Sequence, residues 1–239
     1  MPHRTLTLKE AALYLHLPCG DVEDLIRHHE IEAQAQGARI VFRRRDVEAW
    51  ALRHVLALPS KRLSLYHRRT SDSTRPISPQ ARILGALARI EAIEPALPSK
   101  TKPSVLRDMV AVADRTDLLC QPRELLASLE ERESLCSTAL ADGIALLHPR
   151  SHDPYMALES FIGLGRALRP IPFGAADGRQ TDLFFLICCL DDRLHLHVLA
   201  RLCLLCKQPG FLAGLRAAVS AGEMLAALRH AEDQALRQL

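Results

Sequence analysis

The sequence predicts an α/β protein in two parts, a small N-terminal module at residues 1–56 and a layered C-terminal domain at 96–239, joined by a linker at 57–95. Three observations carry this. Short apolar runs at Gly143–Leu147, Ser160–Arg166 and Thr181–Cys189 alternate with longer segments of helical periodicity, the pattern of strands layered against helices. Residues 5–54 have a cap and a periodicity of their own. Between the two parts the composition shifts to Ser, Pro, Arg and His, as in Tyr66-His-Arg-Arg-Thr-Ser-Asp-Ser-Thr-Arg-Pro76.

In the N-terminal module, Thr7 is placed to cap a helix through Lys9–Leu15, with Glu10 at the capping-box position three residues on. Pro18, Cys19 and Gly20 turn the chain. Asp21–His28 then carries Val22, Leu25 and Ile26 on one face, the spacing of a second helix. Ile31–Ala35 and Ala38–Phe42, joined around Gln36 and Gly37, read as a hairpin. Arg45–Leu52 closes the unit as a third helix with Val47 and Trp50 inward.

Helix, turn, helix, hairpin, helix resembles the excisionase-type winged helix-turn-helix, similar to the start of MerR regulators. The resemblance rests on Leu6-Thr-Leu-Lys-Glu-Ala-Ala12, Leu25-Ile-Arg27 and Val41-Phe-Arg-Arg-Arg-Asp-Val47 with Trp50. It implies that the second helix enters a major groove and the hairpin touches backbone phosphates, with Arg27, Arg39, Arg43 and Arg44 as DNA contacts. Asp21, Glu23 and Asp24 pull the other way, because carboxylates repel phosphates and accept only from a base donor such as cytosine. A protein-interaction use of the same module stays open.

In the linker, lysine and arginine outnumber the acids, so it can also graze DNA without sequence preference. Ala81–Ile90 reads as one helix, offered either for homodimer formation or for packing on one of the two domains. Beyond it, Pro103–Ala113 is an amphipathic helix with Val105, Leu106, Met109, Val110 and Ala113 on its buried side. Pro122 opens another, running to Arg132 or just past it, with Leu125, Leu126 and Leu129 inward. Gly163 and Gly165 in the middle strand permit close backbone packing. Helices at Leu194–Cys206, Phe211–Val219 and Gly222–Leu236 complete the domain.

Two histidines flank the strand-forming runs. Pro149 stops the first run just after His148, which places that imidazole at a strand end facing a loop. His195 follows Asp191 and Asp192, both good N-cap residues, and falls in the first turn of a leucine-rich helix, where free N–H groups and the helix dipole favour an anion. A sheet-end histidine near a helix N-terminus suits the carriage of a phosphoryl group.

Residues 96–236 resemble the type-2 enzyme IIA domains of the bacterial phosphotransferase system, including their nitrogen-related branch. The resemblance is carried by Glu-Glu-Arg132-Glu-Ser-Leu-Cys-Ser-Thr138, Gly143-Ile-Ala-Leu-Leu-His148, Pro170-Ile-Pro-Phe-Gly-Ala-Ala-Asp-Gly178, Asp182-Leu-Phe-Phe-Leu186 and His195-Leu, in that order. It implies a central mixed sheet flanked by helices. It also implies that His148 is the phosphoacceptor, His195 the second histidine of the pocket and Arg132 the phosphoryl-contacting arginine, with Ser137 and Thr138 adding phosphate-binding groups. The chain departs from the family at Leu147, where a proline usually stands, and carries Pro149 one residue after the histidine instead.

A neutral imidazole accepts a phosphoryl group and releases it again near neutral pH, and the chemistry needs positioning and charge neutralisation with no metal and no cofactor. Arg132 offers a rigid fork for two oxygens. His197 points away from His195 on the same helix and reads as structural. Cys203 and Cys206 lie on a leucine-rich helix with no second pair at zinc spacing, so they read as core. Pro149 argues against the regular helix that would align His148 and His152 on a metal.

A chain of 239 residues, 48% hydrophobic, can bury a sizeable core, and its net charge of +3 neither demands nor excludes nucleic acid. Seven cysteines, an odd number mostly within apolar runs, suit buried free thiols in a reducing compartment. No signal peptide opens the chain and no apolar run approaches the ~18 residues of a membrane span, so a soluble cytoplasmic protein is expected, without membrane insertion. Taken together the parts predict a transcriptional regulator whose IIA-like domain is phosphorylated on His148 by the histidine phosphocarrier protein, modulating DNA binding. The alternatives are a phosphocarrier relaying phosphate to a transporter IIB domain, and a phosphate-independent binding scaffold.

Overall fold

The computed structural model describes residues 5–15, 17–36, 39–44, 46–47, 50–51, 81–150 and 156–238. The chain divides into two compact units, residues 1–79 and 80–239. Residues 57–80 of the expected linker and the hairpin tip at Gly37 lie outside the described residues, as does His152.

The N-terminal unit contains α1 (Leu8–Leu15) and α2 (Cys19–Arg27) against a three-stranded antiparallel sheet of β1 (Thr5–Thr7), β2 (Gln34–Gln36) and β3 (Arg39–Arg43) in the order β1-β3-β2. The Thr7 cap forms as read. Thr7 Oγ1 accepts the Glu10 N–H at 3.3 Å, and the Glu10 carboxylate accepts the Thr7 N–H at 2.8 Å. The strand β1 was not expected from so short a polar run, and it exists because β3 offers it a partner, with Leu6 opposite Phe42. Residues 46–47 and 50–51 are helical, and Val47 and Trp50 are buried with Ala11, Leu15, Val22 and Phe42.

The C-terminal unit is built on a four-stranded mixed sheet, β4 (Ala88–Leu97), β5 (Ile144–Leu147), β6 (Phe161–Ile171) and β7 (Thr181–Cys188), ordered β4-β6-β7-β5. The β4–β6 and β5–β7 pairs are parallel and β6–β7 is antiparallel. Its helices are α3 (Ile83–Leu87), α4 (Lys102–Asp114), α5 (Pro122–Leu135), α6 (Asp192–Cys206), α7 (Phe211–Ala217) and α8 (Ala221–Gln238). Phe161, Phe173 and Phe184 share one buried cluster with Met109, Leu125 and Leu129 from α4 and α5. Burial of these apolar faces, at roughly 25 cal/mol per Å², is the main term holding helices to sheet.

The helix expected over Ala81–Ile90 forms only over Ile83–Leu87, and Ala88–Leu97 is an edge strand, so the C-terminal unit begins at residue 80 rather than 96. Local pattern cannot see this, because β4 is specified by β6. Gly163 and Gly165 let the two strands' side chains interleave, a Cβ at Gly163 meeting the Ala92 carbonyl at 3.1 Å. The middle strand also runs past the expected Arg166, since β6 extends through Ile171, where it pairs with Thr181.

Of the seven cysteines, Cys188, Cys189 and Cys203 are buried, Cys206 is half-buried, and Cys19, Cys120 and Cys136 are exposed. The sequence expectation of mostly buried thiols therefore holds for three of the seven, and in part for Cys206. Among the described residues no single helix is long and apolar enough to cross a membrane.

Candidate active site

His148 follows directly on β5, whose four residues are all buried, and its own side chain is enclosed. Leu147 is 1% exposed and packs in the core beneath it, so the strand end is held by side-chain burial where a proline is usual. His195 sits in the first turn of α6, which Asp191 caps by accepting the Leu194 N–H through Oδ1 at 2.9 Å and the His195 N–H through its carbonyl at 3.1 Å. The parallel pairing of β5 with β7 brings the two histidines together, ring centroids 4.9 Å apart and tilted by 46°.

Arg132 lies in the last turn of α5 and is buried. Its Nε–H donates to His148 Nε2 at 3.0 Å, while Nη1 donates to the Cys136 carbonyl at 3.0 Å and approaches Cys136 Sγ at 3.4 Å. On the other side of the ring, His148 Nδ1 is 2.8 Å from the Leu146 carbonyl oxygen. A carbonyl only accepts and an arginine Nε–H only donates, so both contacts require the same neutral tautomer, Nδ1–H with a lone pair on Nε2. The imidazole is oriented, and its nucleophilic nitrogen faces a guanidinium.

The three residues expected to make the centre are therefore brought together. Ser137 and Thr138 are close by, yet their hydroxyls are committed elsewhere. Ser137 donates to the Phe173 carbonyl at 2.7 Å, and Thr138 Oγ1 donates to Glu133 Oε2 at 2.7 Å. In this structure both hydroxyls are engaged within the protein. Their contacts hold the turn after α5 in place. Sequence reading passed over Glu133, which is buried, accepts the Thr138 N–H, and pairs with Lys102 Nζ at 2.8 Å. The sequence signal for it is thin: a glutamate beside an arginine, of the kind that usually marks a solvated helix face.

His197 and, six residues further along α6, Cys203 are both buried, in line with structural roles. Among the described residues no group of three or more His, Cys, Asp or Glu is placed to hold a metal ion.

In the N-terminal unit, Arg27 pairs with Asp24 on exposed α2, Arg43 is exposed on β3, and Arg44 stands over the Tyr14 ring at 5.8 Å. Arg39 is part of β3 opposite Gln36, and its side chain lies outside the described set. Asp21, Glu23 and Asp24 are all exposed.

Solved structures that share this fold include IIA proteins. The nitrogen regulatory protein IIA-Ntr of Neisseria meningitidis aligns over 61% of this chain and 99% of its own, with a TM-score of 0.52 and 22% identity. Mannitol IIA of Escherichia coli aligns over 59% and 97%, with a TM-score of 0.51 and 20% identity. Residues 86–231 match the family described as phosphoenolpyruvate-dependent sugar phosphotransferase system, EIIA 2, and the chain belongs to this family. Residues 5–55 match the helix-turn-helix domain family, so a helix-turn-helix unit precedes the IIA domain. The nitrogen regulatory protein of Bradyrhizobium diazoefficiens is 35% identical over 131 residues, covering 53% of this chain and 82% of that relative. The fructose-specific EIIABC component of Bacillus subtilis is 29% identical over 106 residues, 44% of this chain and 16% of that much longer protein.

Proposed function

We propose that the protein is a transcriptional regulator whose IIA domain accepts a phosphoryl group on His148 Nε2 from a phosphohistidine of the phosphotransferase-system phosphocarrier, and that this changes DNA binding by the helix-turn-helix unit. The observation that carries the reading is the double constraint on His148, Nδ1–H on the Leu146 carbonyl and Nε2 facing Arg132 at 3.0 Å. In the transfer the Nε2 lone pair attacks phosphorus, the new P–N bond forms, and the donor's P–N bond breaks with its electron pair returning to the donor imidazole. Arg132 then passes its N–H from Nε2 to the phosphoryl oxygens, a charge-assisted contact, with His195 beside them. The Nδ1–H stays on the Leu146 carbonyl throughout, so the phosphorylated ring is an imidazolium balanced by the phosphoryl charge, and the donor, itself N-protonated on its other nitrogen, leaves as neutral imidazole.

A regulator is favoured over a transporter relay because a helix-turn-helix unit is fused to the IIA domain. Basic residues Arg27, Arg39, Arg43 and Arg44 supply its DNA-facing charge. Incubation with phosphoenolpyruvate, enzyme I and the phosphocarrier, read by intact mass, should add one phosphate to the wild type and none to His148→Ala. Promoter fragments should then bind with different affinity before and after phosphorylation. No mass gain with an active phosphocarrier, or transfer onward to a IIB domain with unchanged DNA affinity, overturns the reading.

A further inference from the structure

A segment at 138–140 runs antiparallel along the outer edge of β5. The Leu140 N–H donates to the Ile144 carbonyl at 2.8 Å and the Leu146 N–H to the Thr138 carbonyl at 3.1 Å, with Ala139 opposite Ala145. In regular antiparallel pairing, Thr138 and Leu146 would exchange both of their hydrogen bonds, the Thr138 N–H completing the pair on the Leu146 carbonyl. Here it does not. The Thr138 N–H turns to the Glu133 carboxylate, at 3.2 Å from Oε1 and 3.1 Å from Oε2, and the Leu146 carbonyl receives His148 Nδ1.

The geometry points to Glu133 as a positioning residue that sets the tautomer and orientation of His148 by drawing the Thr138 N–H off the Leu146 carbonyl. Three features support it. Glu133 is almost fully enclosed, so its carboxylate is fixed. It also accepts Thr138 Oγ1 at 2.7 Å, which leaves that residue nowhere else to turn. Lys102 binds Oε1 at 2.8 Å and lies over the Phe173 ring at 4.7 Å, neutralising the buried charge from the start of α4. Arg132 and Glu133, neighbours on the last turn of α5, thus act on opposite nitrogens of one imidazole. Arg132 does so directly, and Glu133 through Thr138 and Leu146.

Without the carboxylate the β5 ladder is free to lengthen by one bond, and the Thr138 N–H then competes with His148 Nδ1–H for one oxygen. The role rests on His148 being the phosphoacceptor, but its signature does not depend on phosphate. The test is 15N NMR of histidine-labelled full-length protein, with the His148 signals assigned by their loss in His148→Ala. Wild type should show the Nδ1–H tautomer, Glu133→Ala a mixture with the other form. Glu133→Gln, whose amide oxygen can still accept from Thr138, should restore the wild-type signals. In parallel, the phosphorylation rate should fall roughly tenfold in Glu133→Ala, the scale seen when a residue that orients a histidine is removed, and recover in Glu133→Gln. Should Glu133→Ala not fold, Glu133→Asp, with the same charge and a shorter reach, is judged by the same criteria. A folded Glu133→Ala or Glu133→Asp with the wild-type His148 tautomer overturns the role of Glu133, as does Glu133→Gln behaving like Glu133→Ala. A wild type that takes no phosphate overturns the phosphoacceptor reading instead, and leaves the tautomer comparison to decide this one.

Discussion

Glu232→Ala should be among the most destabilising single changes in the IIA domain. Glu232 on α8 and Arg201 on α6 are an ion pair at 3.2 Å with both side chains 0% exposed, and the same carboxylate accepts the backbone N–H groups of Leu84 at 2.8 Å and Gly85 at 2.7 Å. One carboxylate thus ties α6, α8 and the first turn of α3. Burial pulls the Arg201 pKa down, and Glu232 pulls part of that back. Removing one member of a buried pair costs about 3–5 kcal/mol, because the remaining charge stays desolvated. Two N–H groups at about 1–3 kcal/mol each lose their acceptor as well, although these terms overlap and do not simply add. A net loss of about 4 kcal/mol corresponds to a drop in Tm of roughly 8–16 °C for a domain of this size. Urea unfolding followed by circular dichroism measures it. The double variant Glu232→Leu with Arg201→Met should recover part of the loss, but not all, because the Leu84 and Gly85 amides remain without an acceptor. A loss below about 1 kcal/mol for Glu232→Ala would refute the claim that this pair is desolvated and coupled.

Gly165→Ala should cost about 1–3 kcal/mol by overpacking, since its Cβ would lie within 2.5 Å of Met109 Sδ and closer still to Leu97 Cδ1, both side chains buried with no room to retreat. An unchanged urea midpoint would contradict it. Burial pushes the Cys188 and Cys203 thiols up from the ordinary 9.0 to about 12. Below pH 9 both folded and unfolded chains keep these protons and stability is whole. Between pH 9 and 12 the unfolded chain releases them while the folded one does not, so stability should fall by about 1.4 kcal/mol per pH unit for each thiol. Urea midpoints measured from pH 8 to 10.5 should therefore slope less steeply in Cys188→Val with Cys203→Val than in wild type, and parallel slopes would exclude the cause. A thiol reagent at pH 8 should modify Cys19, Cys120 and Cys136 quickly in the native protein and the buried thiols slowly.

Much of the architecture was legible because it is written locally. The Thr7–Glu10 cap, the apolar stripes of α4 and α5, and the buried runs that became β5 and β7 each carry their own periodicity or turn chemistry. The segment after Ala81 misled for the opposite reason. Ala88, Ala92 and Ile93 fit a helix stripe as well as a strand, and β6 alongside decides between them. The histidines were found by their positions at element ends, next to Pro149 and Asp191. Their apposition at 4.9 Å was not readable from the 46 residues between them, because it depends on which strands pair.

Sequence by itself therefore determined most of the elements, the two-part organisation and which three side chains to look for at the end of β5, since caps, periodicities and motif order are properties of neighbouring residues. Tertiary structure alone decided what those side chains can do. Pairing of β5 with β7 brought His195 to His148, the end of α5 delivered Arg132 to Nε2, and the diversion of one backbone N–H to Glu133 left the Leu146 carbonyl to hold Nδ1. Those contacts join residues that are remote in sequence, or depend on a single hydrogen bond choosing between two acceptors, and no local preference encodes that choice.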